Sequence, residues 1–339
     1  MRKTRSWVVH ALVAGFFLLL STAGHASPGF DVGENAATAW KIIRSADFPA
    51  EEGVWLRIRG LAQATEAKAV TREATALREL RRRGFRICAL VEWPNDTWGG
   101  VRPGPAWRYP VDLREAWQRA RDLGRVYGEF VDAWEIGNEP DVSFIEDNAE
   151  NYAAYFKACR SGLRVGAEVA GVAGEKVRVL MAPLALPPGP FFERLWESGV
   201  GNSTEGFNYH YYGYAEDFSD VYAQFRDAVE RTGASGNERA ASADTLAEKT
   251  LPVFLTEFGY GLMSIEAGAS KAGRLRQWRW FRDVGRQIDC VRPESAFAFL
   301  LRPYSEQGLN EFGLLAQSPK RQRRSERVFQ SHDFSGEAP

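Results

Sequence analysis

Histidine is nearly missing from this chain of 339 residues, which has four. Two of them, His10 and His25, lie in a leader-like start, so only His210 and His332 remain for the body, too few for a histidine-built metal centre. Cysteine is as scarce. Cys88, Cys159 and Cys290 are odd in number and far apart, with no CxxC, which argues against a disulfide framework and a zinc site and leaves room for one disulfide in an exported chain. Cys88 sits within an apolar run and reads as a small core residue. Neither sign of charge dominates: the formal charge is −1, and with Arg2, Lys3 and Arg5 set aside it is −4. A mildly acidic chain is a poor partner for nucleic acid or an anionic membrane surface. The chain also lacks a G-x-S-x-G elbow and a Walker-type phosphate loop.

What is present begins with an export pattern. MRKTR is cationic, WVVHALVAGFFLLL is apolar, and STAGHA ends in small residues suited to cleavage after Ala26. The apolar run is shorter than the ~18–20 residues of a spanning helix. The expectation is a signal peptide over 1–26, no stable membrane insertion after its cleavage, and a secreted or periplasmic mature chain over 27–339. That length suits one α/β barrel of about 250 residues or more.

Strand-like and helix-like segments alternate through the mature chain. Apolar runs at 53–60, 85–94, 132–141, 177–186, 205–214, 251–260 and 295–304 read as strands, each followed by a helical stretch, the last of them near 320–331. Such alternation indicates a parallel sheet covered by helices, and a single-domain (β/α)8 barrel. Seven strands are one short of eight. The spacing places the missing one within 29–45, with AWKII as the best candidate.

Two of these runs end in a glutamate. WEIGNEPD (134–141) carries Glu139 and PVFLTEFGY (252–260) carries Glu257. A carboxylate at the end of a buried strand is costly unless it is used, because desolvating an unpaired charge costs several kcal/mol. Two of them at the carboxyl end of a barrel suit acid-assisted glycoside cleavage, in which one carboxyl protonates the leaving oxygen and the other stays ionised. No metal or cofactor is implied.

Asn138-Glu139-Pro140 after a strand, the H-x-Y element His210-Tyr211-Tyr212, and a later strand ending T-E-F-G together resemble glycoside hydrolase clan A. The resemblance extends over most of 53–320. It implies a retaining (β/α)8 enzyme acting on a poly- or oligosaccharide, with Glu139 as acid/base and Glu257 as nucleophile. It further implies that Asn138 binds the sugar 2-hydroxyl, that His210 and Tyr212 orient nucleophile and sugar, and that Arg57 of WLRIRG keeps the nucleophile ionised. WEIGNEPD with WLRIRG leans towards the branch of β-xylosidases, α-iduronidases and exopolysaccharide hydrolases. The chain departs from the pattern at Glu92-Trp93-Pro94, where many members carry a histidine, and at FLLRPY, where many carry a tryptophan.

Glu135 lies four residues before Glu139 on the same strand face, and the expectation is that it points inward and pairs with Arg57 or Arg59. The loop at 93–110 supplies Trp93, Trp98 and Trp107 as candidates for stacking on sugar, Trp93 foremost. Rival readings are a catalytically silent glycan-binding barrel and a transglycosylase.

Overall fold

A computed structural model of the protein describes residues 26–46, 53–93, 98, 108–142, 147–237, 251–261 and 271–299. The signal segment, Trp107 and the helix expected near 320–331 lie outside these residues.

The eighth strand is not AWKII. It is β1, Ser27–Asp31, and AWKII belongs to helix α1, Ala36–Ala46. The physical reason lies in periodicity and capping. Ala36, Ala39 and Ile43 recur at helical spacing and are fully buried, and the Asn35 side chain caps the first turn by accepting from the Thr38 amide at 2.9 Å. SPGFD has little strand propensity, so pairing on both sides makes it a strand, with β2 on one flank and β8 on the other. Gly29 suits its place there, since a Cβ would stand 2.6 Å from the Phe297 ring.

The remaining order is β2 (Trp55–Ile58), α2 (Ala67–Arg82), β3 (Arg86–Val91), α3 (Leu113–Tyr127), β4 (Ala133–Ile136), α4 (Ala149–Val169) and β5 (Arg178–Met181). Then follow α5 (Pro190–Glu197), β6 (Phe207–Tyr211), α6 (Phe218–Asn237), β7 (Val253–Phe258), α7 (Lys271–Val291) and β8 (Ser295–Ala298). All strand ladders are parallel, in the order β5-β4-β3-β2-β1-β8-β7-β6. Leu184 closes the gap between β5 and β6 with a parallel bridge to Tyr209. The architecture is a (β/α)8 TIM barrel.

Alternation along the strands divides two packed regions. Outward residues such as Leu56, Ile87, Trp134, Val179 and Leu255 meet the helices in one large core. Inward, Trp55, Cys88, Ala133, Leu180, Phe254 and Phe297 fill the amino-terminal half of the barrel, with Trp55 set edge-on to Phe254. The inward positions one step further along carry charge: Asp31, Arg57 and Glu135 are fully buried. The apolar plug thus forms the floor of a polar site at the carboxyl ends of the strands.

Candidate active site

β2 places Arg57 at the barrel axis. Its guanidinium reaches Asp31 on β1, Glu135 on β4 and Glu257 on β7, and donates to Asn138 Oδ1 at 3.0 Å. Burial works against the Arg57 charge, but Glu135, Glu257 and Asp31 more than offset it, so the group stays a firm cation. Glu135 points inward and meets Arg57, with Arg57 Nε at 2.8 Å from its Oε1. Its second oxygen accepts from Asn208 Nδ2 at 2.7 Å. Arg59, past the end of β2 and 27% exposed, gives a second cation, 2.6 Å from Glu257 and 3.3 Å from Asp31.

The chain turns sharply after β4. Gly137 has φ 83° and Glu139 φ 43°, both in the left-handed region. For Gly137 this carries no steric cost, whereas for glutamate it is a strained backbone. The Glu139 amide donates to the Pro183 carbonyl at 3.1 Å, which helps hold the turn. Asp141 binds the amides of Ala185 and Leu186 at 2.8–3.1 Å and ties this loop to the one after β5. Because Arg57 can only donate, Asn138 turns its oxygen to Arg57 and its NH2 is not used in that bond.

Glu257 reaches the interior through an irregularity. Tyr209 pairs with Leu255, yet His210 pairs with Glu257, and the β8 ladder slips over the same stretch of β7. One residue too many, at Thr256, resets the alternation. Phe254 and Glu257 both face inward, three apart, where a strict period of two would turn Glu257 towards the helices.

Once inside, Glu257 receives Arg57 and Arg59 on one oxygen and the Tyr212 hydroxyl on the other. Burial alone would push its carboxyl up. The charges of His210, Arg57 and Arg59 and the bond from Tyr212 outweigh it and hold the carboxyl down at about 2, against an ordinary 4.5. His210 lies between the two glutamates, its Nδ1 2.6 Å from Glu139 and 3.6 Å from Glu257. One atom from each of Glu139, His210 and Glu257 falls within a 4.8 Å cluster. Such a trio could ligate a cation, although one oxygen of Glu257 is already taken by Arg57 and Arg59.

Tyr212 is 41% exposed although its hydroxyl is on Glu257, so the ring forms an open wall. Burial, then the Glu257 charge, push its hydroxyl well above the ordinary range and keep it a donor. Phe299, the first residue of FLLRPY, stands edge-on to it at 5.8 Å. Trp93 and Trp98 are each 6% exposed and pack against one another. Their faces meet protein more than an open cleft, because Arg119 covers the Trp98 ring at 4.2 Å. The three cysteines are free, Cys290 alone being exposed.

The structure therefore brings Glu139, Glu257, Asn138, His210, Tyr212 and Arg57 into one constellation, with Trp93 at its edge. Sequence reasoning missed Asp31 and Asn208. Asn208 had a signal, for it precedes His210 and Tyr212 by steps of two on one strand face. Asp31 had none, because its strand was not recognised.

No sequence family and no curated protein matches the chain. Solved structures match its fold. A family 39 glycoside hydrolase from Bacteroides cellulosilyticus superposes with TM-score 0.56 at 14% identity over 86% of this chain, which spans 60% of that protein. A GH5_18 protein from Bifidobacterium longum, in complex with Manβ1-4GlcNAc, gives 0.57 at 13% over 90% of this chain and 77% of the other. A β-glucosidase from Thermotoga maritima gives 0.51 at 10% over 91% and 97%. At such identities the likeness is one of fold, and the chemistry must be argued from the side chains.

Proposed function

We propose that the protein is an exported retaining glycoside hydrolase. The observation that carries this reading is a pair of carboxylates, Glu139 and Glu257, with oxygens within 4.8 Å of each other. Retaining enzymes hold their carboxyl groups about 5–5.5 Å apart, whereas inverting ones leave about 6.5–9.5 Å for a water.

The environments of the two groups divide the labour. Glu257 has Arg57, Arg59 and Tyr212 and remains ionised, as a nucleophile must. Glu139 is the more exposed of the two, at 18% against 6% for the side chain, and no arginine pairs with it among the described residues, so the role of proton donor falls to it. Glu257 attacks the anomeric carbon as Glu139 protonates the departing oxygen. The sugar is then esterified to Glu257, whose charge is gone, and Glu139 takes a proton from water as the water attacks and frees the carboxylate. Asn138 gives its oxygen to Arg57, which leaves its NH2 to bind a sugar hydroxyl. Asp31, Glu135 and Asn208 set Arg57, and through it the nucleophile.

The test is stereochemical. Proton NMR of fresh product should show the anomeric configuration of the substrate, and inversion would discard the mechanism. Glu257→Ala should lose activity by at least about 10⁴-fold. Glu139→Ala should regain turnover of activated substrates with azide and yield a glycosyl azide of retained configuration. Products longer than the substrate would mark a sugar hydroxyl, rather than water, as the acceptor.

A further inference from the structure

Arg59 lies one residue past β2, and the reaction above uses it only to keep Glu257 ionised. It is the less committed of the two arginines on that carboxylate. Arg57 is fully buried and shared among Asp31, Glu135, Glu257 and Asn138. Arg59 is fixed at its main chain, where its amide donates to the Glu34 carbonyl at 2.9 Å. Its Nη2 lies 2.6 Å from Glu257 Oε1 and 3.3 Å from Asp31. Its Nε is buried and has no partner among the described residues. The bonds of this guanidinium are thus made through Nη2, and the shorter of them goes to Glu257.

In a double displacement the charge on Glu257 disappears and returns in every turnover. Arg59 faces a carboxylate before the first step and a neutral ester after it. Burial works against the Arg59 charge, and Asp31, then Glu257, sustain it. With Glu257 esterified, Asp31 still holds the cation beside the ester. A charged donor then meets an oxygen that has lost its charge, and the bond it makes there is weaker. Breaking the ester restores the ion pair. Arg59 therefore makes Glu257 a poorer nucleophile and a better leaving group. Arg57 pulls the same way, but its removal would also take from the buried Glu135 the arginine it pairs with.

We infer that Arg59 drives the second step of the reaction, the release of the sugar from Glu257. In that step the water oxygen bonds to the anomeric carbon, and the bond from that carbon to the Glu257 oxygen breaks. Its electron pair passes to the carboxylate that Arg59 binds, while Glu139 takes the proton of the water. Arg59 acts through Glu257 and not on the sugar. With it the ester is short-lived, and without it the ester accumulates. This rests on the glycosidase reading and assigns one residue to one of its two steps. It depends on the Arg59–Glu257 contact alone, since every other charge around the site is the same before and after Arg59 is replaced.

Dinitrophenyl glycosides of xylose, glucose, glucosamine and glucuronic acid, in both anomeric series, make the first step easy and expose the second. The comparison is made on the best of them, at a pH above the acid limb of both proteins. Arg59→Met should lower kcat about 10- to 100-fold, the worth of a charged hydrogen bond. Its kcat/KM, which reports the first step, should stay within about threefold of the wild type or exceed it, so that KM falls with kcat. Rapid mixing should release about one dinitrophenolate per enzyme in a burst before a slow steady phase. Mass spectrometry of the quenched variant should find the sugar on Glu257. Arg59→Lys keeps a cation at that oxygen and should regain most of kcat, and Arg59→Gln serves if the Met variant folds poorly. Equal losses in kcat and kcat/KM without a burst would mark a structural prop and overturn this inference alone. A raised KM at unchanged kcat, the sign of a sugar-binding residue, would overturn it too. A wild type that cleaves no glycoside overturns the function and this inference with it.

Discussion

Arg57 meets three carboxylates, and in the proposed mechanism only Glu257 among them reacts. Removing two charges from water costs several kcal/mol per ion, and only close geometry with further hydrogen bonds recovers it. Here Asp31 also takes the Gly33 amide at 2.6 Å and Glu135 takes Asn208, so the two silent acids are satisfied. Glu257 is held by the same cation yet faces the opening. Its folded pKa of about 2 lies below the ordinary 4.5. It therefore adds stability that is present above about 4.5 and is lost as pH falls towards 2. In the proposed mechanism the same shift sets the acid side of the rate profile, because only the ionised form of Glu257 would attack. Replacing Tyr212 by Phe, or Arg59 by Met, removes a hydrogen bond or a charge from that form. Each should move the acid limb of kcat/KM up by about 1–2 pH units. A limb that stays in place in both variants would show that other groups hold the nucleophile ionised.

At the level of elements, two devices bring the residues together. The first is the extra residue at Thr256, without which Glu257 would face the helices. The second is the close approach of α3 and α4, which flank β4 in sequence and brace the strand that leads to Glu139. A Cβ on Gly162 would stand 2.2 Å from the Trp117 carbonyl oxygen, and one on Gly166 1.9 Å from that of Arg121. The two helices therefore touch backbone to backbone. In a free helix Gly→Ala gains about 1 kcal/mol, whereas forcing atoms into a packed contact costs about 1–3 kcal/mol. Since a main-chain carbonyl cannot rotate away, the contact wins. Gly166→Ala should lower the unfolding free energy in urea by about 1–2 kcal/mol. A more stable variant would refute the backbone contact.

Over the whole molecule, β1 completes the ring. It pairs with β2 and β8, contributes Asp31, and is fastened at its start by Ser295 Oγ on the Ser27 carbonyl at 2.8 Å. The expected cleavage after Ala26 falls one residue before this strand. A chain that starts at Ser27 should therefore fold and act like the full sequence, and mass spectrometry of exported protein should find Ser27 at its terminus. A chain that starts at Glu34 lacks the strand and Asp31, so it should lose activity and its cooperative melting transition. Full activity in that shorter chain would contradict the role given to β1.

Sequence alone determined the alternation of seven strands with helices, and from that the barrel. It also marked Glu139 and Glu257, because a carboxylate at the end of an apolar run stands out against its neighbours, whereas Asn138, His210, Tyr212 and Arg57 were marked only by the resemblance of their motifs to a known family. Tertiary structure decided the rest. Ser27–Asp31 is a strand because two neighbours supply its hydrogen bonds, a property no window of five residues carries. AWKII turned from strand to helix because burial at helical spacing and the Asn35 cap outweighed its apolar character. Which side of the sheet Glu257 faces depends on one unpaired residue in β7, and register is a relation between strands. Finally, the pKa of Glu257 is held down by His210 and by Arg57 and Arg59, the two arginines some 200 residues away in the chain, because Coulomb's law acts through space and not along the sequence.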